Sequence, residues 1–304
     1  MPSNVHDNAP SISEFRGILL GTLDQYDPDR PDALWNLSDG RTVVPCLIPS
    51  PDLLHELISR PLATYWMQLV DWAGTQEQAP VPPPILTSAR LDATNDALFQ
   101  LPLDVCPVEG VYNETLDLID LLTTPPLREM VTRVFLDREV CARYWTMPAS
   151  ARHHHAWPGG LATHSLEVAM DLANQCVLTG TERELAVAGG LLHDIGKLWA
   201  YTPDMFPNTA NRAMGHELIG LSRLEREVKI LEGQWPDGAY ALRVLLSGCG
   251  RMRPNGSMPS ALVARIKAAD QRSCEQNRSF RPGTSQSWIP QDWSNDNAPT
   301  TESP

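Results

Sequence analysis

Residues 185–201, LAVAGGLLHDIGKLWAY, decide how the second half of the chain is read. An apolar run ends there in two ionisable neighbours, His193 and Asp194, followed by Ile195-Gly196-Lys197. Ionisable groups in an apolar setting need partners, and one metal ion is a partner to both. Neighbouring side chains on a helix point about 100° apart, so a shared ion sits beside the helix and takes further ligands from other helices. Two other apolar runs offer such ligands. His164 stands in HHHAWPGGLATHSLEVAM (153–170), before Leu166, Val168 and Ala169, and Asp270 follows Ala268 and Ala269 in ALVARIKAADQRS (261–273). Two imidazoles and two carboxylates at one point make a hard, open metal site of the kind that activates water against a phosphate ester.

Outward from these runs, the texture from about residue 113 is helical. NETLDLIDLLTT, PPLREMVTRVFLDREVCARYWTM, GGLATHSLEVAMDLANQCVLTG, ERELAVAGGLLHDIGKLWAY, MGHELIGLSRLEREVKILEG, DGAYALRVLLSG and PSALVARIKAADQRSCEQ carry apolar residues at helical spacing. They predict an all-α bundle of about seven helices within a domain spanning 101–280. Residues 13–100 read differently, as short strands with turns. EFRGILLGTL, DALWNL and RTVVPCLI predict three strands, with a hairpin at Ser38-Asp39-Gly40. PSPDLLHELISR predicts a short helix with Ser50 as N-cap and Pro51 in its first turn. ATYWMQLVDWAG and ILTSARLDA predict two more strands. The order β-β-β-α-β-β is that of a small OB-like β-barrel, a fold that often presents a face to single-stranded nucleic acid. Trp35, Tyr65, Trp66 and Trp72 are then either barrel core or stacking platforms. The expected class is α+β in two domains. Residues 1–12 and 281–304 are rich in Pro, Ser, Asn and Asp and are expected to be disordered.

Composition narrows the setting. The 304 residues are enough for two cores, and 42% hydrophobic with 20% charged is an ordinary globular balance. No apolar run approaches the ~20 residues that span a bilayer, and the N-terminus lacks a signal-peptide pattern, so no membrane partner and a cytoplasmic location are expected. Six scattered cysteines form no CxxC pair, which argues against a zinc ribbon and for reduced thiols. The net charge of −13 excludes a broadly basic nucleic-acid binder. Residues 201–304 nevertheless carry 12 basic side chains against 11 acidic, where residues 1–100 carry 5 against 13. Arg251, Arg253, Arg265, Lys267, Arg272, Arg278 and Arg281 are the place where a polyanion would find counter-charge.

The order His164, His193-Asp194, Asp270, with HDIGK intact, resembles the HD superfamily of metal-dependent phosphohydrolases. HHHAWPGGLATHSLEVA resembles two families more narrowly. One is the bacterial 3′→5′ exoribonucleases, in which an OB-fold precedes an HD domain. The other is the TraI/MobH-type relaxases of integrative conjugative elements, with a triple-His motif before GGL and then an HD motif. The resemblance spans about 113–275, and for the first family also the strand order in 14–95. It implies His164, His193, Asp194 and Asp270 as ligands of a divalent ion, Mn²⁺ first, with Mg²⁺, Fe²⁺, Co²⁺, Ni²⁺ or Zn²⁺ also suited.

His216, in MGHELIG, matches a position where HD proteins carry a further His for a second metal or the phosphate. The histidine pair that the exonuclease pattern places before the final Asp is replaced by SGCGRM (247–252). One metal is expected, and a second is left open. Of His153, His154 and His155, His154 or His155 is expected to contact phosphate or metal, with Gly159-Gly160 letting backbone approach a substrate. Lys197 would neutralise a phosphate oxygen. The catalytic set is therefore His154, His155, Lys197 and His216. The expected function is a phosphodiesterase on single-stranded RNA or DNA, 3′→5′ exonuclease-like. A conjugative-element DNA-processing protein and a non-catalytic nucleic-acid-binding module on an HD scaffold are the alternatives. A homo-oligomer is left open.

Overall fold

The fold is described from a computed structural model, for residues 10–22, 33–71, 81–94, 96–152, 154–202, 204–248 and 258–276. Strands β1 (Ser11–Thr22), β2 (Trp35–Ser38), β3 (Val43–Cys46), β4 (Tyr65–Asp71) and β5 (Ile85–Leu91) form one antiparallel sheet in the order β3-β2-β1-β4-β5. Helix α1 (Pro51–Ile58) lies between β3 and β4 in the chain. The Ser50 hydroxyl accepts the Leu53 N–H, and Pro51 occupies the first turn, where its missing N–H costs nothing. At the hairpin, Asp39 Oδ1 accepts the N–H groups of Arg41 and Thr42 at 2.8 and 2.7 Å, and Gly40 supplies a φ of 87°.

The expected closed barrel gives way to an open sheet. Strands β3 and β5 share no ladder; their flanks meet in one parallel bridge, Leu47 to Ile85, where Leu47 N–H donates to Pro84 O and Leu86 N–H to Leu47 O. Strand β3 is only four residues long and contains Pro45, which has no N–H to extend pairing. Ser11 and Ile12, within the segment 1–12 expected to be disordered, are ordered in strand β1. Strand β1 begins at Ser11, paired with Asp71 of β4. Residues 1–9 and 277–304 lie outside the described residues, as do His153, Trp72, Cys249, Arg251, Arg253, Arg278 and Arg281.

Alternation along β4 buries Tyr65, Met67 and Leu69 against Leu19, Leu37, Leu57 and Leu86, and leaves Trp66 and Gln68 facing solvent. Trp35 and Tyr65 are therefore core. Among the described residues the helical half has ten helices rather than seven: α2 (Val111–Asp120), α3 (Pro125–Leu136), α4 (Arg138–Tyr144), α5 (Gly160–Ala173), α6 (Gly180–Leu192), α7 (Lys197–Ala200), α8 (Thr209–Arg223), α9 (Glu225–Gln234), α10 (Pro236–Leu246) and α11 (Met258–Gln276). Apolar periodicity runs through breaks that local chemistry makes. Asp137 leaves the helical region, and its carboxylate accepts the N–H groups of Glu139 and Val140, which ends α3 and starts α4. His193 closes α6, and residues 193–196 form a turn before α7. Leu224 interrupts the run between α8 and α9.

The two halves are joined through Arg138. Its guanidinium donates to the carbonyls of Leu19 (2.9 Å), Leu20 (3.2 Å), Leu57 (2.7 Å) and Arg60 (2.8 Å), at β1 and the end of α1. Leu62 N–H also donates to Leu136 O at 2.8 Å. Replacing Arg138 by Met keeps the aliphatic stem and strands four carbonyls. Charge-assisted hydrogen bonds contribute about 1.5–3 kcal/mol each and do not add fully, so Arg138→Met is expected to cost roughly 2–4 kcal/mol in urea denaturation. A variant as stable as the parent would show that the joint is held elsewhere.

Candidate metal centre

Helix α5 is buried nearly all round. Leu161, Leu166, Val168, Ala169 and Leu172 have no exposed surface, which offsets the cost of carrying His164 into the same interior. Helix α6 packs against it through glycine. A Cβ on Gly190 would lie 2.8 Å from Ala169 Cα, so only glycine permits the approach. That approach sets His193, three residues beyond Gly190, beside His164. Helix α11 brings Asp270 to the same point.

The resulting ligand atoms converge. His164 Nε2 lies 3.3 Å from Asp194 Oδ2, 3.1 Å from Asp270 Oδ1 and 3.3 Å from His193 Nε2. One ligand atom from each of His164, His193 and Asp270 lies within 4.8 Å of the other two. Asp194 is the hub of a second set of contacts: Oδ2 takes the Lys197 ammonium at 2.6 Å, and Oδ1 takes His216 Nε2 at 2.9 Å. Gly196 seats His216 here, because a Cβ at Gly196 would fall 1.8 Å from the His216 carbonyl oxygen.

Hydrogen bonds on the far side of each ring fix the tautomers. His193 Nδ1–H donates to Gly190 O at 2.8 Å. The Ser273 hydroxyl donates to Glu167 Oε2 at 2.5 Å, so it accepts from His164 Nδ1–H at 2.9 Å. Both Nε2 atoms then turn lone pairs toward each other and toward two carboxylates. Four electron-rich groups at this spacing hold together only around a proton or a cation. The donor set of His164, His193 and Asp270 therefore fits a divalent ion on chemical grounds, with Asp194 beside it and held by Lys197 and His216.

The charges at the site follow from this crowding. Burial alone would lower the His164 imidazole, but its hydrogen bonds with Asp194 and Asp270 outweigh it and lift it to about 9. Burial would raise Asp194, yet the Lys197 and His193 charges and the hydrogen bonds with His164 and His216 hold it well below the usual carboxylate range. Asp270 is likewise lowered by His164 against its burial. Lys197 is raised by Asp194 despite burial. His154 moves the other way, to about 4, chiefly through burial and then through repulsion from the charge of the neighbouring His164, with smaller contributions from His155 and Lys197. It is a neutral imidazole at pH 7.

The cleft over the ligands, about 210 Å³, is lined by the polar groups His154, His193, Asp194, Lys197, His216 and Asp270 together with the apolar Leu245, Leu246, Val263 and Ile266. Lys197 is buried and donates to Ala149 O at 3.0 Å as well as to Asp194. Lys267 reaches the rim, whereas Arg272 and Arg265 are engaged with Asp171 and Gln175 on a different face. That face holds a larger depression, about 400 Å³, without converging ligands.

His155 does not line the cleft. It is fully buried behind His164, in left-handed backbone (φ 52°), and its Nε2–H donates to Glu167 Oε2 at 3.1 Å. Gly159 and Gly160 also differ from expectation. Both are buried, and a Cβ on Gly160 would sit 2.0 Å from His155 O, so the glycines fold the loop onto itself instead of admitting a substrate. Glu167, Ser273 and Cys274 were missed from the sequence. Their one signal is spacing: Glu167 follows His164 by three residues, and Ser273 and Cys274 follow Asp270 by three and four, on the same helix face.

Residues 161–273 match the family model described as HD domain. The match covers 113 of the 304 residues, all within the helical half. All four converging residues lie inside the match; His154, His155 and the sheet lie outside it. No curated protein and no solved structure matches the chain significantly. HD domains bind divalent metals, in agreement with the cluster. Among the described residues no helix is long and apolar enough to cross a membrane.

The raised His164 pKa has a consequence for stability. A group raised on folding stabilises the metal-free protein fully below its ordinary 6.5, and that contribution is lost as pH rises through about 9. EDTA-treated protein is expected to lose Tm between pH 6.5 and 9, with a divalent ion restoring more at the upper end. A flat Tm across this window would refute the proton-or-cation account. Gly196→Ala forces α8 away from the turn and is expected to cost about 1–3 kcal/mol and to weaken metal affinity, read by calorimetry.

Proposed function

We propose that the chain is a metal-dependent phosphodiesterase acting on single-stranded nucleic acid, RNA or DNA, from the 3′ end. The observation that carries the hydrolase reading is the convergence of the His164 and His193 Nε2 atoms with Asp270 on the floor of an accessible cleft, where a divalent ion can take the place of the proton His164 holds in the metal-free protein. A divalent ion bound there would polarise a phosphate oxygen and lower the pKa of water. The chain's own residues supply the remainder. Lys197 balances Asp194 and holds its carboxylate in place. His216 donates to Asp194 Oδ1 and lines the cleft, with its Nδ1 facing Glu217 Oε2 at 3.6 Å, and would meet a phosphate oxygen in place of Glu217. His154, neutral above about pH 4, is able to accept a proton within the cleft. His155 acts through Glu167 and Ser273 on the orientation of His164, as a positioning residue.

Two features support single-stranded nucleic acid. The strand order with a helix between the third and fourth strands is OB-like, although the ladder stays open. Across the outer face, Arg16 of β1, Trp66 of β4 and Arg90 of β5 stand in register. Trp66 is 40% exposed, and the Arg16 guanidinium lies 5.8 Å from its ring centre. Arg16 is itself paired with Asp92 and Asp96 at 2.8 and 2.7 Å, so it backs the ring, and the exposed indole beside Arg90 is what suits a base and its phosphate.

The test is a panel of 3′- and 5′-labelled single-stranded RNA and DNA with Mn²⁺, against EDTA controls. Laddered loss from the 3′ end is expected. His193→Ala and Asp194→Ala should each reduce it by more than about a hundredfold, beyond the effect of an outer partner. Trp66→Ala should weaken oligonucleotide binding by about 1–3 kcal/mol without changing metal content. Hydrolysis of nucleotides with an inert oligonucleotide panel would refute the polymer substrate. Strand-specific nicking of supercoiled DNA would favour the conjugative-element alternative.

A further inference from the structure

Cys274 enters the cleft one helical turn after Asp270, and none of the roles assigned above uses it. Its Sγ lies 3.1 Å from His154 Nε2 and 3.5 Å from Asp270 Oδ1. His154 is held toward it by its loop, where the Ser150 hydroxyl donates to the His154 carbonyl oxygen at 2.7 Å. All three side chains line the cleft. Thiol, imidazole and carboxylate are the donor types of zinc sites. Tetrahedral geometry, with Zn–S about 2.3 Å and Zn–N about 2.0 Å, places sulfur and nitrogen about 3.5 Å apart. The observed pair is within a few tenths of an ångström of that spacing. The principal centre, by contrast, contains only nitrogen and oxygen.

We propose that His154 and Cys274, sharing Asp270 with the principal centre, form a second and softer cation subsite, suited to Zn²⁺ or Co²⁺. It rests on the metal-centre reading. When the ion binds, the S–metal bond replaces the S–H bond and the thiol proton passes to solvent, with no change of oxidation state. The open side of the cleft leaves coordination positions for water or substrate oxygen.

The test is a cobalt titration of full-length, EDTA-treated and dialysed protein, read by bound-metal stoichiometry and near-ultraviolet absorption. Two equivalents are expected, the second bringing a sulfur-to-cobalt charge-transfer band. Cys274→Ser and His154→Gln should each bind one equivalent and lack the band. Far-ultraviolet circular dichroism and the thermal transition in EDTA confirm that the variants fold. One equivalent without the band in the parent protein would overturn the subsite and leave the principal centre standing. A band that persists in Cys274→Ser would place the sulfur elsewhere and also overturn it. A parent protein that binds no cobalt would overturn both readings.

Discussion

Two imidazole nitrogens that face each other across 3.3 Å, with carboxylates on either side, are the constraint around which the helical half is organised. Such a cluster repels itself unless something positive sits in it. The fold accepts that cost because α5, α6 and α11 meet there, and their apolar contacts stabilise the whole. Gly190 allows α5 and α6 to touch, and Gly196 allows α8 to rest on the turn between α6 and α7. The glycines are therefore as much part of the site as the ligands. Each removes a side chain so that a polar one elsewhere can reach its place.

Behind the ligands runs a second layer with its own logic. Glu167 accepts from both His155 and Ser273, and Ser273 accepts from His164, so one half-buried carboxylate orients the ring that holds the centre together. His155 adopts a left-handed backbone to make this contact. For a residue with a Cβ that conformation costs about 1–2 kcal/mol. The strain is placed where it fixes a ring orientation, which is a common location for it.

The residues at the centre were legible in the sequence because they break apolar runs: His193-Asp194 after residues 185–192, and Asp270 after two alanines. The outer layer was not. Glu167, Ser273 and Cys274 sit on helices where polar residues every third or fourth position ordinarily mean a solvated face, and only the packing of α5 against α11 turns that face inward. Between His154 and His155 the sequence offers no way to choose, since neighbours in a run differ only in how the loop turns; the structure turns His154 into the cleft and buries His155. In the N-terminal half the strand order was readable from turns and alternation. Whether the sheet closes was not, because closure depends on the length of β3 and on Pro45 at the edge.

The end of α6 at His193 has one more effect. A helix carries a partial negative charge at its C-terminus, equivalent to roughly half an elementary charge, from carbonyls that have no partner further along. Helix α6 stops one residue short of the cluster, so that negative pole lies directly against it. The backbone itself thus favours a cation there, independently of which side chains are protonated. A substitution that let α6 continue through the turn would remove this field even if every ligand were retained.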